Sequence, residues 1–76
     1  MKRIVKHMVH GRSRAELSQC IDEWIVGRNA MRNRAILKSK MIDGISYMAL
    51  AEEYDLSLKR VKTIVKEGVK TIEQHL

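Results

Sequence analysis

The chain reads as an all-α domain of four short helices, with a helix-turn-helix at its C-terminal end and a short basic arm at its start. Three observations predict this. The 76 residues hold no proline and four glycines, so helices are seldom interrupted and connections are short. Apolar residues recur at three- and four-residue spacing after the arm, with no strand signal beyond it. Ser13, Ser46 and Ser57 stand directly ahead of apolar-periodic stretches, where a hydroxyl can accept an unpaired amide of a first helical turn.

Residues 1–12 form the arm. Ile4, Val5, Met8 and Val9 suit a helical turn, while a loose basic arm or a short strand fits equally. His7 and His10 invite a metal reading, but zinc needs three or four ligands, and only Cys20 and His75 stand elsewhere as partners. No metal site is expected. The stretch from Met1 to His10 lacks the apolar run of a signal peptide. No segment approaches the ~20 apolar residues of a membrane span, so a cytoplasmic, nucleoid-associated protein with no membrane contact is expected.

Residues 13–27 read as the first helix. Ser13-Arg14-Ala15-Glu16 forms a capping box, with Glu16 reaching back to the serine amide. Leu17, Cys20, Ile21, Trp24 and Ile25 make one apolar stripe, and Gly27 offers a stop. A single helix continuing through Gly27 costs only about 1 kcal/mol relative to alanine, so it stays open. Cys20 has no second cysteine to pair with, and core packing is expected of it rather than nucleophilic chemistry, which needs an activating base.

Asn29 is placed to cap a second helix over residues 30–43, packing through Met31, Ala35, Leu37, Met41 and Ile42 and stopped by Asp43-Gly44. Ser46 caps a third helix over 47–53, presenting Met48, Leu50 and Ala51. Tyr54-Asp55-Leu56 forms a tight connection with Tyr54 packed in the turn. Ser57 then caps the last helix, whose inner face is Val61, Ile64, Val65, Val69, Ile72 and Leu76. Lys59, Arg60, Lys62, Thr63, Lys66 and Lys70 lie outside that face.

So short a chain is one domain spanning residues 1–76, too small for a large enclosed active site. It shows no nucleophile–base pair, metal cluster or phosphate-cradling glycine loop; no enzymatic activity and no cofactor are expected. The net charge is +6 with a pI near 9.8, and it is unevenly spread. Residues 1–14 hold five basic and no acidic groups, 45–56 hold three acidic and no basic ones, and 57–76 return to five basic against two acidic. Clustered basic charge of this kind is the footprint of a nucleic-acid binder.

The stretch from Ser46 to Val65 carries the sharper signal. A helix-turn-helix needs a small residue where its helices cross, supplied by Ala51. Its turn needs a residue tolerant of positive φ, and Asp55 stands where glycine is usual. Leu56 plugs the turn, Ser57 caps the next helix, and Leu50, Val61 and Ile64 anchor the pair. An ordinary helical hairpin shares this periodicity. Against it stands the exposed side of the last helix, where Lys59, Arg60, Lys62 and Lys66 meet no acidic residue before Glu67. A structural bundle more often mixes signs for i,i+4 pairing.

Arg34-Ala35-Ile36-Leu37, Met41-Ile42-Asp43-Gly44-Ile45-Ser46-Tyr47, Leu50-Ala51-Glu52-Glu53-Tyr54-Asp55-Leu56-Ser57 and Val61-Lys62-Thr63-Ile64 together resemble region four of bacterial sigma factors. They also resemble the small standalone proteins built like it, familiar from Firmicutes and their mobile elements. The resemblance covers residues 30–76, and related helix-turn-helix families, LuxR-type output domains among them, share much of it. It implies a bacterial or phage regulator of transcription that reads the promoter −35 element and touches RNA polymerase. The other sigma domains do not fit in this chain, and Asp55 departs from the usual glycine.

The expected target is double-stranded DNA, with Leu58, Lys59, Arg60, Lys62 and Thr63 at base edges in the major groove. Lys66 and Lys70 suit phosphates, as do Ser46, Tyr47 and Ser57 around the starts of the two helices. One module buries a small DNA interface, so a homodimer, through the C-terminal helix or the Trp24 helix, or polymerase contact is expected to supply further specificity. A protein-interaction adaptor binding polymerase or another protein through the same fold is the alternative. Single-stranded nucleic acid is disfavoured by the lack of an aromatic platform.

Overall fold

A computed structural model of the chain describes residues 13–75, so the arm, with His7 and His10, and Leu76 lie outside the described residues. Four helices follow in order: α1 (Arg14–Trp24), α2 (Ala30–Met41), α3 (Tyr47–Glu53) and α4 (Leu58–Gln74). Among the described residues there is no strand.

The three serines cap as their positions require. Ser13 Oγ accepts from the Glu16 amide at 3.1 Å, Ser46 Oγ from the Ala49 amide at 3.1 Å and Ser57 Oγ from the Arg60 amide at 3.0 Å. Each takes an amide that no helical carbonyl reaches, a contribution of about 1 kcal/mol. The box at Ser13 closes differently from expectation: the Glu16 carboxylate accepts from the serine hydroxyl at 3.3 Å, not from the serine amide. Asn29 holds the cap position of α2 but its side chain makes no capping bond. Its backbone explains this, with φ −106° and ψ 28° instead of the extended conformation of the serine caps. The Ala30 amide goes to the Gly27 carbonyl at 3.2 Å.

Two helices are shorter than the sequence suggests. α1 ends at Trp24, not residue 27, because Ile25 turns extended at φ −90°, ψ 99°. The Arg34 Nε donates to the Ile25 carbonyl at 2.7 Å, satisfying an acceptor at the helix end. Gly27 then takes φ +109° within the connection. α2 ends at Met41, not residue 43; Gly44 at φ +70° reverses the chain and the Ile45 amide returns to the Ser39 carbonyl at 3.0 Å.

The core joins Leu17, Ile21 and Ile25 to Ile36, Leu37 and Met41, with Leu50 from α3 and Val61, Ile64, Val65, Val69 and Ile72 from α4. The expected inner face of α4 is thus buried throughout its described length, and α4 packs against each of the other three helices. Gly68 permits the close approach of α4 to α2: a Cβ there would lie 2.6 Å from Leu37 Cδ2 and 2.9 Å from its Cγ.

Four expected core residues are not in it: Met31, Met48, Trp24 and Ala35, the last half-buried outside the core cluster. Met31 is 85% exposed and Met48 67%. At 100° per residue, Met31 lies about 140° around α2 from the centre of the Ile36–Leu37–Met41 arc, and Met48 about 160° from Leu50. Phase, not apolar character, decides burial here. Trp24, the last residue of α1, is 42% exposed and stacks flat on His75, with ring centroids 3.6 Å apart. Cys20, Ile42, Ala51, Tyr54 and Leu56 pack against the core while partly exposed.

Candidate nucleic-acid interface

The connection from α3 to α4 is set by four residues. Tyr54 ends α3, its amide donating to the Leu50 carbonyl at 3.0 Å. Asp55 then takes φ +53°, the left-handed conformation expected of it, and the chain reverses. The Leu56 amide donates to the Ala51 carbonyl at 2.9 Å and the Asp55 amide to the Glu52 carbonyl at 3.4 Å. This is the pair of bonds that closes a helix C-terminus around one left-handed residue. Leu56 packs against the core, and Ser57 starts α4 immediately. Leu50 and Val61, one from each helix, are fully buried beneath the turn.

The turn therefore fixes how α4 leaves α3, and it leaves one side of α4 in solvent. Lys59, Arg60, Lys62 and Lys66 are exposed, and Leu58 is 41% exposed. They do not share one line. At 100° per residue, Lys59, Lys66 and Lys70 fall within about 40° of one another around the helix. Lys62 lies about 60° to one side of Lys59 and Arg60 about 100° to the other. Arg60 lines a groove of about 370 Å³ with Trp24, Val26, Asn33, Glu67 and Thr71. Thr63 is half-buried, and its hydroxyl donates to the Lys59 carbonyl at 3.0 Å.

Lys62 leans instead toward Tyr47, its Nζ 5.9 Å from the ring centroid. Lys40, from the last turn of α2, places its Nζ 4.2 Å over the same ring. Nothing in the local spacing of Lys40 marks it, because its neighbour comes from another helix. Burial disfavours the charged form of the Tyr47 phenol and raises its pKa above the ordinary 10.0. Tyr54 is raised as well, by burial first and then by the charge and hydrogen bond of Glu53.

Ser46 and Ser57 are exposed and engaged as caps, but a hydroxyl that accepts keeps its own proton to donate. The acidic Glu52, Glu53 and Asp55 are all exposed at the C-terminal end of α3, opposite the end at which Tyr47 stands. The ion pair between Lys38 and Asp22, at 2.7 Å, joins α2 to α1. Among the described residues no three His, Cys, Asp or Glu side chains gather as metal ligands, and no helix is long and apolar enough to cross a membrane. No family model matches the chain, and no match is found among curated proteins or solved structures.

Proposed function

We propose that the chain binds double-stranded DNA sequence-specifically as a transcriptional regulator, through a helix-turn-helix made of α3, residues 54–57 and α4. The observation that carries this reading is the α3–α4 turn. It is closed around Asp55 at φ +53° and aims α4 outward with an exposed face that has four cations and no carboxylate between Leu58 and Lys66. A groove-entering helix needs both a fixed exit angle and such a face.

Leu58, Lys59 and Thr63 face base edges in this reading, Leu58 and the Thr63 methyl suiting thymine methyl groups and Lys59 suiting guanine. Lys66 and Lys70, in line with Lys59, meet phosphates, and the Ser46 and Ser57 hydroxyls donate to phosphates beside them. Arg60, turned toward the groove, reaches the flanking backbone. The resemblance to sigma region four makes a promoter element the target and RNA polymerase a candidate partner. A protein-interaction role is the second reading, favoured by the exposed Trp24 and Val26 beside the groove; a second copy of the chain suits the same surface.

The test is a fluorescence-anisotropy titration against mixed duplex DNA at several salt concentrations, with the Lys59→Ala/Arg60→Ala/Lys62→Ala variant alongside. Binding that weakens linearly on a log–log salt plot and falls in the variant supports groove binding. No affinity at low salt refutes it and turns attention to a protein partner.

A further inference from the structure

We infer that Lys40, Tyr47 and Lys62 form a seat for one phosphate oxyanion, supplied by the DNA backbone, so that α2 joins α3 and α4 in touching the duplex. This deepens the DNA-binding reading and rests on it. Three helices contribute one side chain each. The Lys40 ammonium stands 4.2 Å above the phenol ring and the Lys62 ammonium 5.9 Å from it.

The ring's negative face accounts for their convergence, since a cation over an aromatic face gains about 0.5–1 kcal/mol at an exposed site. It does not neutralise them. Neither lysine pairs with a carboxylate among the described residues; the ion pair nearest in sequence uses Lys38 and Asp22. Two like charges thus stand beside one ring with no counter-anion among the described residues. The phenol hydroxyl also has no protein partner among the described residues, so the seat offers two ammonium donors and one hydroxyl donor.

Such a donor set fits a tetrahedral oxyanion. Lysine binds phosphate as a point charge on a flexible stem, so both side chains can close on the anion while their helices stay fixed. A phosphate held here sets the register of the protein on the duplex without reading sequence. Free phosphate presents the same chemistry, and the experiment separates the two sources.

The full chain is titrated with duplex DNA over a range of salt, as wild type, Lys40→Met, Lys62→Met and the double variant. Methionine keeps an apolar stem over the ring, and circular dichroism confirms folding. Lys40→Met is expected to weaken binding to all sequences alike. The double variant is expected to lower the log–log salt slope by about 1, the loss of one shared phosphate. A slope change of about 2 means two separate phosphates and overturns the shared seat. Wild-type binding that Lys40→Met leaves unchanged at every salt concentration also overturns it, while the DNA reading stands.

If wild type fails to bind DNA, inorganic phosphate is titrated against the Tyr47 ring resonances. A saturable shift lost in Lys40→Met supports the seat with free phosphate as its occupant. No shift overturns the seat together with the DNA reading.

Discussion

Replacing Gly68 by alanine tests how closely α4 is set against α2. The new Cβ would stand 2.6 Å from Leu37 Cδ2 and 2.9 Å from its Cγ, well inside the ~3.5–4.0 Å optimum for two carbons. A flexible side chain could swing aside in solvent. Leu37 cannot, because it is fully buried and its Cγ, not only its methyl ends, is in the way. Overpacking of this kind costs about 1–3 kcal/mol, and the crowding of both Cγ and Cδ2 puts Gly68→Ala at the upper end. Alanine returns about 1 kcal/mol through its better helix propensity. The net expectation is a loss of about 2 kcal/mol, a fall in Tm of roughly 8–16 °C for a domain of this size. Thermal unfolding followed by circular dichroism measures it. Leu37→Ala alone loses about 2–5 kcal/mol, but combined with Gly68→Ala it should lose less than the sum, since the second alanine occupies space the first vacates. A Gly68→Ala protein as stable as wild type, or additivity in the double variant, refutes the close-approach argument.

Two further outcomes follow from the turn and its tyrosines. Asp55→Val places a β-branched residue at φ +53° and should cost about 1–2 kcal/mol in urea unfolding, whereas Asp55→Gly should stay within about 0.5 kcal/mol of wild type, relief of strain being offset by greater freedom of the unfolded chain; equal stability of the valine protein contradicts the left-handed assignment. Tyr47 and Tyr54 both have folded pKa values raised above 10.0, so in the window above that value the folded state holds more protons than the unfolded one. Their contribution to stability is therefore whole below about pH 10 and is lost as pH rises through the folded values. Ultraviolet absorbance titration should find both phenols ionising above 10.0 in the folded protein, and a phenol ionising at or below that value counts against its burial.

The parts of the fold that were legible in the sequence are those with a local cause. A serine ahead of an apolar stretch carries its own acceptor, and Ser13, Ser46 and Ser57 all cap. Asp55 takes positive φ because few other side chains tolerate it between two helices. The five described inner residues of α4 are buried because their spacing admits one phase only. Legibility ends where the cause is distant. Met31 and Met48 are apolar and point the wrong way, which only the position of neighbouring helices decides. Gly68 reads as a weak point in a long helix until Leu37 stands across from it. α1 stops at Trp24 because Arg34, in the next helix, takes the Ile25 carbonyl. The same limit applies to the candidate site: the exposure of the α4 cations was readable from periodicity, but their division among three directions was not, and Lys40 beside Tyr47 had no local signature.

The stack of Trp24 on His75 gives the chain a property that its secondary structure alone does not imply. Helix ends fray, and α4 has no basic side chain in its last turn to steady the final carbonyls. Its C-cap is nevertheless held by a ring stacked at 3.6 Å, from the last residue of α1. Opening the last turn and releasing the indole are consequently one event, not two. Aromatic stacking worth about 0.5–1.5 kcal/mol corresponds to a roughly two- to twelve-fold rarer opening, so amide protons at the end of α4 should exchange with solvent more slowly by about that factor than those of an unheld helix end. The single indole of the protein is at the same time an optical gauge of whether that end of the helix is closed.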